Sequence, residues 1–365
     1  MAQKNQTKKR GILDIEINIG GVNLTQRTLL ARHLSVMLKA GITITEALSI
    51  VESSATGKLK KILKQILKSI RAGRSLSSSL RQHENVFSGL FINAVYAGES
   101  SGTMEENLDN IATQLEKERE LVAKIKGAML YPIVVLSAAF VLFMVLSFVI
   151  LPKIIPLFEG LKADLPVTTR MMIAFSHFIQ ANSLLLFLSI IGLIILTSWT
   201  VKQKFAKPIT HWFFLKIPVI KRLVKYANLA RFSRTLATLI KSGLNIDEAL
   251  KITKHTVGNY YYQKALGSVS RRIVQGTKLS ENLNQFENLF PTLLIKMVKV
   301  GEESGKLEEV LFYLADFYET EVDNSTKALS TAIEPILLIF IGLVVGFLAL
   351  SIITPIYDIT GNISR

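Results

Sequence analysis

Gly98-Glu99-Ser100-Ser101-Gly102 returns 203 residues later as Gly301-Glu302-Glu303-Ser304-Gly305, and this pair decides how the rest of the chain divides. Upstream of it, Arg32-His-Leu-Ser-Val-Met-Leu-Lys39-Ala-Gly41-Ile-Thr-Ile-Thr-Glu46-Ala47-Leu48 matches Arg234-Thr-Leu-Ala-Thr-Leu-Ile-Lys241-Ser-Gly243-Leu-Asn-Ile-Asp-Glu248-Ala249-Leu250 at an offset of 202. Between these blocks Gly73 meets Gly276, Leu76-Ser77 meets Leu279-Ser280, and Phe87 meets Phe290. Downstream, Tyr131-Pro132 meets Glu334-Pro335, and Leu151-Pro152 meets Thr354-Pro355. One single-residue shift over this whole stretch is the mark of a duplication. A period this long means duplicated domains and excludes a solenoid of short repeats.

The repeated unit reads as all helix. Leu34, Leu38, Ala47, Leu48 and Val51 fall on apolar helical faces. Ala40-Gly41 breaks the pattern, and glycine there can take the left-handed conformation that ends a helix. Thr43-Ile-Thr-Glu46 then reads as a capping box, with Asn245-Ile-Asp-Glu248 as its second copy. Gly73 and Gly276 read as further helix ends. Thr103-Met-Glu-Glu106 reads as another capping box, with acidic residues in a first turn where the helix dipole favours them. No Gly or Pro follows before Lys126, so that helix is expected to run on into an apolar stretch. Pro132 removes the hydrogen bond to the Ala128 carbonyl, and Pro335 does the same over Thr331, so a kink is expected at each.

Three uncharged runs stand out: Ile133–Leu151, Leu184–Val201 and Ile336–Ile353. None contains Asp, Glu, Lys, Arg or His. Each is long enough to cross a bilayer core of about 30 Å at 1.5 Å per residue. Hydrophobic residues make up 49% of the chain, and mean hydropathy is +0.37, which also points to membrane spans. The N-terminus is basic (Lys4, Lys8, Lys9, Arg10), but Asp14 and Glu16 interrupt the apolar residues after it, so a cleaved signal is not expected. The alternation Ile12–Ile19 suggests a short strand ending at Gly20-Gly21.

Charge orients the chain. Residues 1–132 hold 19 Lys+Arg and residues 202–335 hold 20, against three in 152–183 and one after Ile353. The positive-inside rule then places both long basic segments in the cytoplasm. The expected organisation is an N-terminal extension (1–25), a first cytoplasmic helical domain (26–128), a first span (129–151) and an extracytoplasmic loop (152–183). A second span (184–201), a second cytoplasmic helical domain (202–332), a third span (333–353) and an extracytoplasmic tail (354–365) follow. The fold class is an all-α membrane protein with two homologous cytoplasmic helical bundles and three transmembrane helices. The formal charge of +15 is accounted for by anionic lipids at the inner leaflet, and no nucleic acid is needed.

Several motifs lose their chemical reading when the repeat is used as a control. Gly98–Gly102 fits the nucleophile-elbow pattern, but that elbow needs a strand before it, and the second copy has Glu303 in the serine position. Gly301–Leu307 is one residue short of a phosphate-binding loop, and Glu302 and Glu303 repel phosphate. Cysteine is absent and the five histidines are scattered, so no metal site, cofactor or catalytic residue is expected and the chain reads as a non-enzyme. Glu99 and Glu302 are candidates for binding a hard cation. Glu105, Glu106, Glu308 and Glu309 read better as a docking surface for a basic partner. Gly342-Leu-Val-Val-Gly346 has the small-residue spacing of a close helix contact. No ionisable residue lies within a span, which argues against the alternative of a transporter or channel.

The paired motifs Leu38-Lys39-Ala40-Gly41-Ile42…Glu46-Ala47-Leu48 and Gly98-Glu99-Ser100-Ser101-Gly102, with Tyr131-Pro132 and Glu334-Pro335, resemble the GspF/PilC family. These are the inner-membrane platform proteins of type II secretion and type IV pilus machines. The resemblance covers roughly residues 26 to 357. It marks Gly41, Glu46, Gly98, Glu99, Ser101, Gly102 and Pro132, with Gly243, Glu248, Gly301, Glu302, Ser304, Gly305 and Pro335, as structural motif positions. It implies homo-oligomerisation, docking to a cytoplasmic assembly ATPase, contact with other inner-membrane assembly proteins, and delivery of prepilin or pseudopilin subunits into a filament. It also implies an inner-membrane location, where the charge distribution predicts a cytoplasmic N-terminus and an extracytoplasmic C-terminus. Ser100 against Glu303 and Tyr131 against Glu334 depart from the pattern and leave pilus, secretion and competence subtypes open.

Overall fold

The computed structural model describes residues 21–145 and 206–363, with isolated positions between 148 and 203. The expected strand at 12–19 lies outside the described residues, as does most of the stretch 152–201, where the loop and the second span are expected. Among the described residues the regular structure is helical and no strand occurs. The first repeat comprises α1 (Leu24–Lys39), α2 (Ile44–Ser54), α3 (Gly57–Arg71), α4 (Leu76–Arg81), α5 (Gly89–Ser101) and α6 (Met104–Val145). The second follows as α7 (Lys207–Lys216), α8 (Pro218–Lys241), α9 (Ile246–Thr256), α10 (Tyr260–Ile273), α11 (Leu279–Asn284), α12 (Thr292–Ser304) and α13 (Leu307–Ile363).

Local chemistry sets the helix ends. Asn23 and Gln26 form a reciprocal capping box at the start of α1. The helix ends at Gly41, whose φ of 81° is open to glycine and costly for other residues. Thr43 caps α2 by accepting from the Glu46 N–H at 3.3 Å, but Glu46 returns no bond, so half of the expected box forms. Asn245 occupies the equivalent N-cap without a side-chain bond. Thr103 also departs from the expected box, because its hydroxyl meets Asn107 Nδ2 at 2.8 Å and Ser101 Oγ at 2.6 Å. A backbone already in extended conformation at Asn245 keeps the boundary without the side chain.

Packing follows from apolar stripes. On α3, Leu59, Ile62, Leu63, Ile66 and Leu67 are buried at i, i+3, i+4, i+7 and i+8. They join Leu30, Leu34, Leu48, Phe87, Phe91, Leu108 and Ile111 in one core. Each such side chain contributes about 1.5–3 kcal/mol of transfer free energy. The second repeat buries Phe232, Leu236, Leu250, Leu266, Phe290, Leu294 and Leu311, with Phe232 edge-on to Phe290 at 5.4 Å.

The chain divides into two compact units. The first holds residues up to Glu120, Arg231–Val257 and Gln263–Asp316, and so draws on both repeats. Within it, Gln114 of α6 is buried against α8, donating to Thr235 Oγ1 at 3.4 Å and accepting from Thr238 Oγ1 at 3.2 Å. Arg231 pairs with Glu118 at 2.9 Å. The second unit holds Leu121–Ala230, Gly258–Tyr262 and Phe317–Arg365. There Leu121, Leu223, Ala227, Val322 and Leu329 form a small core, and Lys124 pairs with Asp323 at 2.7 Å.

Within α6, Met104–Leu142 is long and apolar enough to cross a membrane. Only 6% of its most apolar window is buried, so bilayer, and not a protein core, is the fitting environment for Ile133, Val134, Phe140 and Val141. Pro132 and Pro335 lie inside α6 and α13, and both helices continue through them.

Candidate functional site

The Gly-Glu-x-Ser-Gly segments are corners where α5 turns into α6 and α12 turns into α13. Each residue has a separate physical task. At Gly98 an added Cβ would lie 2.9 Å from the Met104 Cα, and at Gly301 one would lie 3.0 Å from the Leu307 Cα. The missing side chain lets the two helices cross in contact. The closing glycines, Gly102 and Gly305, have φ of 74° and 71° and end the preceding helix in the left-handed conformation. Ser101 Oγ donates to the Ala97 carbonyl at 2.8 Å, and Ser304 Oγ to the Val300 carbonyl at 2.7 Å.

Glu99 and Glu302 reach across to another helix. Glu99 accepts from the backbone N–H of Leu76, and from that of Ser77 at 3.0 Å. Glu302 accepts from Leu279 N–H at 2.5 Å and Ser280 N–H at 3.0 Å. These N–H groups open α4 and α11, helices of six residues whose first donors have no partner of their own. A carboxylate there satisfies two donors and complements the helix dipole. In the first repeat Ser75 adds a cap to Ser78 N–H at 3.2 Å. In the second, Lys278 supplies no side-chain cap, so Glu302 carries the start of α11 alone.

This geometry gives Glu99 and Glu302 a use other than the one weighed for them as cation ligands. A hard cation needs lone pairs directed at it, and here both oxygens of each carboxylate face N–H donors. Among the described residues no group of three or more His, Asp and Glu side chains is placed to hold a metal ion. The nucleophile-elbow reading fails on its backbone: a helix, not a strand, leads into Ser100. Position 100 is exposed and free to vary, which accounts for Glu303 in the second copy, where it lies 3.8 Å from Lys299.

Glu105, Glu106 and Glu309 are exposed in the first turns of α6 and α13, and Glu308 is half-buried beside them. Glu309 pairs with Lys306 at 3.4 Å. At Gly342 and Gly346 an added Cβ would meet nothing within 4 Å, so neither glycine closely approaches a described helix of the same chain.

Sequence reading missed the anchors that hold the long helices. Arg32 pairs with Asp109 at 2.5 Å and Glu116 at 2.6 Å on α6. These contacts raise the Arg32 pKa, chiefly through the Glu116 hydrogen bond, and hold the Glu116 carboxyl below its ordinary value. Arg234 pairs with Asp316 on α13 and stands 5.7 Å over the Phe312 ring. The available signal was Arg at the head of both aligned blocks, with acids about 80 residues downstream.

Fold and corners together define an internally duplicated, all-helical protein in which each repeat locks a helical bundle onto a long helix; among the described residues, α6 is apolar enough to cross a bilayer. The chain belongs to the family described as type II secretion system, protein F, whose pattern matches residues 30–152 and 232–355, once per repeat. It is 38% identical over 345 residues to the type IV pilus assembly protein PilC of Thermus thermophilus, covering 94% of this chain and 85% of that one. It is 31% identical to the protein of the same description from Pseudomonas aeruginosa over the full length of both. The type II secretion system protein F of Aeromonas hydrophila is 31% identical over 94% of this chain and 89% of its own.

Proposed function

We propose that this protein is the polytopic inner-membrane platform of a type IV pilus or type II secretion machine, coupling a cytoplasmic assembly ATPase to insertion of pilin or pseudopilin subunits. The observation that carries this reading is the family pattern falling on both repeats, with relatives of both descriptions covering nearly the whole chain. In this reading the two bundles lie in the cytoplasm, three helices span the membrane, and the C-terminus is extracytoplasmic. The domain division is the linear one: bundles at 26–128 and 202–332, spans at 129–151, 184–201 and 333–353. The lysines near the membrane ends contact anionic lipids, and Gly342 and Gly346 form a contact between copies in a homo-oligomer. The apolar exposure of α6 and the absence of an intramembrane charge in the sequence support a scaffold over a solute pathway.

Deleting the gene is expected to abolish filaments or pseudopilus-dependent export while pilin levels persist, and normal filaments in the deletion strain would overturn the reading. Glu105 and Glu106, or Glu308 and Glu309, offer the acidic face expected to meet the ATPase. Charge reversal to Lys at either pair is expected to weaken ATPase pull-down several-fold, and unchanged recovery would remove that placement.

A further inference from the structure

The repeats differ most in charge along α3 and the segment that follows it through α4. Residues 57–81 carry eight cations and no acid: Lys58, Lys60, Lys61, Lys64, Lys68, Arg71, Arg74 and Arg81. At the equivalent positions, 203 residues on, the second repeat has Tyr261, Gln263, Lys264, Gly267, Arg271, Val274, Thr277 and Asn284. Two of the eight stay cationic, so the fold does not require the charge. All eight are exposed, and none forms an ion pair among the described residues.

The arrangement works against α3 itself. Lys60, Lys64 and Lys68 repeat at i, i+4, a spacing at which like charges destabilise a helix. Lys58 and Lys60 stand in the first turn, where the dipole disfavours cations. The surface around them is concave and sets Arg71, Arg81 and Tyr96 beside the lysines. One cleft is lined by Ser49, Glu52, Lys64, Lys68 and Arg71, and another by Ser75, Ser78, Arg81 and Tyr96. Tyr96 and Ile50 are exposed, large and apolar, on α5 and α2. Aromatic and arginine side chains at a concave, charged surface are the features that carry protein–protein binding. On α3 the apolar face is spent in the core, so none is left to insert into a bilayer.

We infer that the basic face of α3, with the turn into α4, is a docking surface for an acidic patch on a cytoplasmic protein, and that the second repeat lacks it. The inference rests on the cytoplasmic placement of the first bundle proposed above. It uses a different surface, and a partner of opposite charge, from the acidic corners.

The test places a photo-crosslinking residue at Lys61 or at its repeat equivalent Lys264 in the full chain, in cells, with adducts identified by mass spectrometry. The expected result is a protein adduct at Lys61, absent at Lys264, whose contact surface on the partner is acidic. Reversal by Lys60→Glu, Lys64→Glu, Lys68→Glu and Arg71→Glu together is expected to reduce that adduct about tenfold. The same four positions as Gln should give an intermediate loss, and as Arg (with Arg71 kept) no loss. The Gln set keeps the test open if the Glu set fails to fold. Adducts only to lipid or nucleic acid, equal adducts at both positions, no adduct, or an adduct untouched by reversal each overturn the inference. A protein adduct at Lys61 in a host whose filaments survive deletion of the gene leaves the docking surface standing and removes the platform reading.

Discussion

Glu99 and Glu302 show how a charged residue can be structural. Each satisfies two orphan donors at a helix start that lies 22 and 23 residues upstream in sequence. Bonds to a charged acceptor contribute about 1.5–3 kcal/mol each, and half-exposure lowers that. Glu99→Ala and Glu302→Ala are therefore each expected to destabilise by about 2–4 kcal/mol, with Gln losing less because it keeps an acceptor. Thermal unfolding of the full chain in detergent checks this, and an unchanged midpoint for both alanine variants would refute it. The glycines of the corner were legible, because Gly after a helical run has few other uses. The task of the glutamate was not. Nothing in Gly-Glu-x-Ser-Gly encodes that Leu76 and Ser77 sit opposite it.

At the scale of elements, three side chains from separate segments cap the start of α10. Asn228 Oδ1 accepts from Asn259 N–H at 3.0 Å, Asn259 Oδ1 from Tyr261 N–H at 2.9 Å, and His211 Nδ1 from Tyr260 N–H at 2.8 Å. Only a neutral imidazole can accept there. Burial, followed by the charge of Lys207, lowers the His211 pKa from its ordinary 6.5. A lowered folded pKa means the unfolded chain takes up the proton first. The cap therefore contributes fully above about pH 6.5 and is lost as pH falls from there through the folded value. Amide exchange at Tyr260, corrected for intrinsic rate, is expected to be protected at neutral pH and to lose protection in mild acid. His211→Gln keeps an acceptor without titrating, and its protection should be flat across the same window. A wild-type amide equally protected at both ends would sink the assignment. Sequence showed five scattered histidines and no partner for this one, since Tyr260 lies 49 residues away. The helices themselves were legible from their apolar periodicity, and the capping boxes only in part: Thr43 caps, while Asn245 and Thr103 do not bond as a box requires.

At the scale of the molecule, the duplication could be read because its two copies keep glycines and apolar positions in order. That both repeats contribute to one compact unit could not, because Gln114 and Thr238 meet across 124 residues with no local pattern to pair them. The membrane topology is where sequence makes the sharper claim, and the chain is suited to testing it. It contains no cysteine, so one introduced thiol reports one position. Three spans in the proposed order put Ser53 and Lys264 on the cytoplasmic face and Lys162 outside. A membrane-impermeant maleimide applied to the outer face is expected to label Lys162→Cys alone, while Ser53→Cys and Lys264→Cys react only after permeabilisation. Ser53 and Lys264 are exposed on their helices, so poor access within the fold does not explain a silent result. Labelling of Ser53→Cys from outside would invert the orientation. Labelling of Lys264→Cys alone from outside would mean that the second uncharged run does not return the chain, and the two repeats would then face opposite sides. That outcome conflicts with Gln114 and Glu118 reaching α8 within one unit. The proposed topology puts residues 114, 118, 231 and 238 on one side of the membrane, as those contacts require.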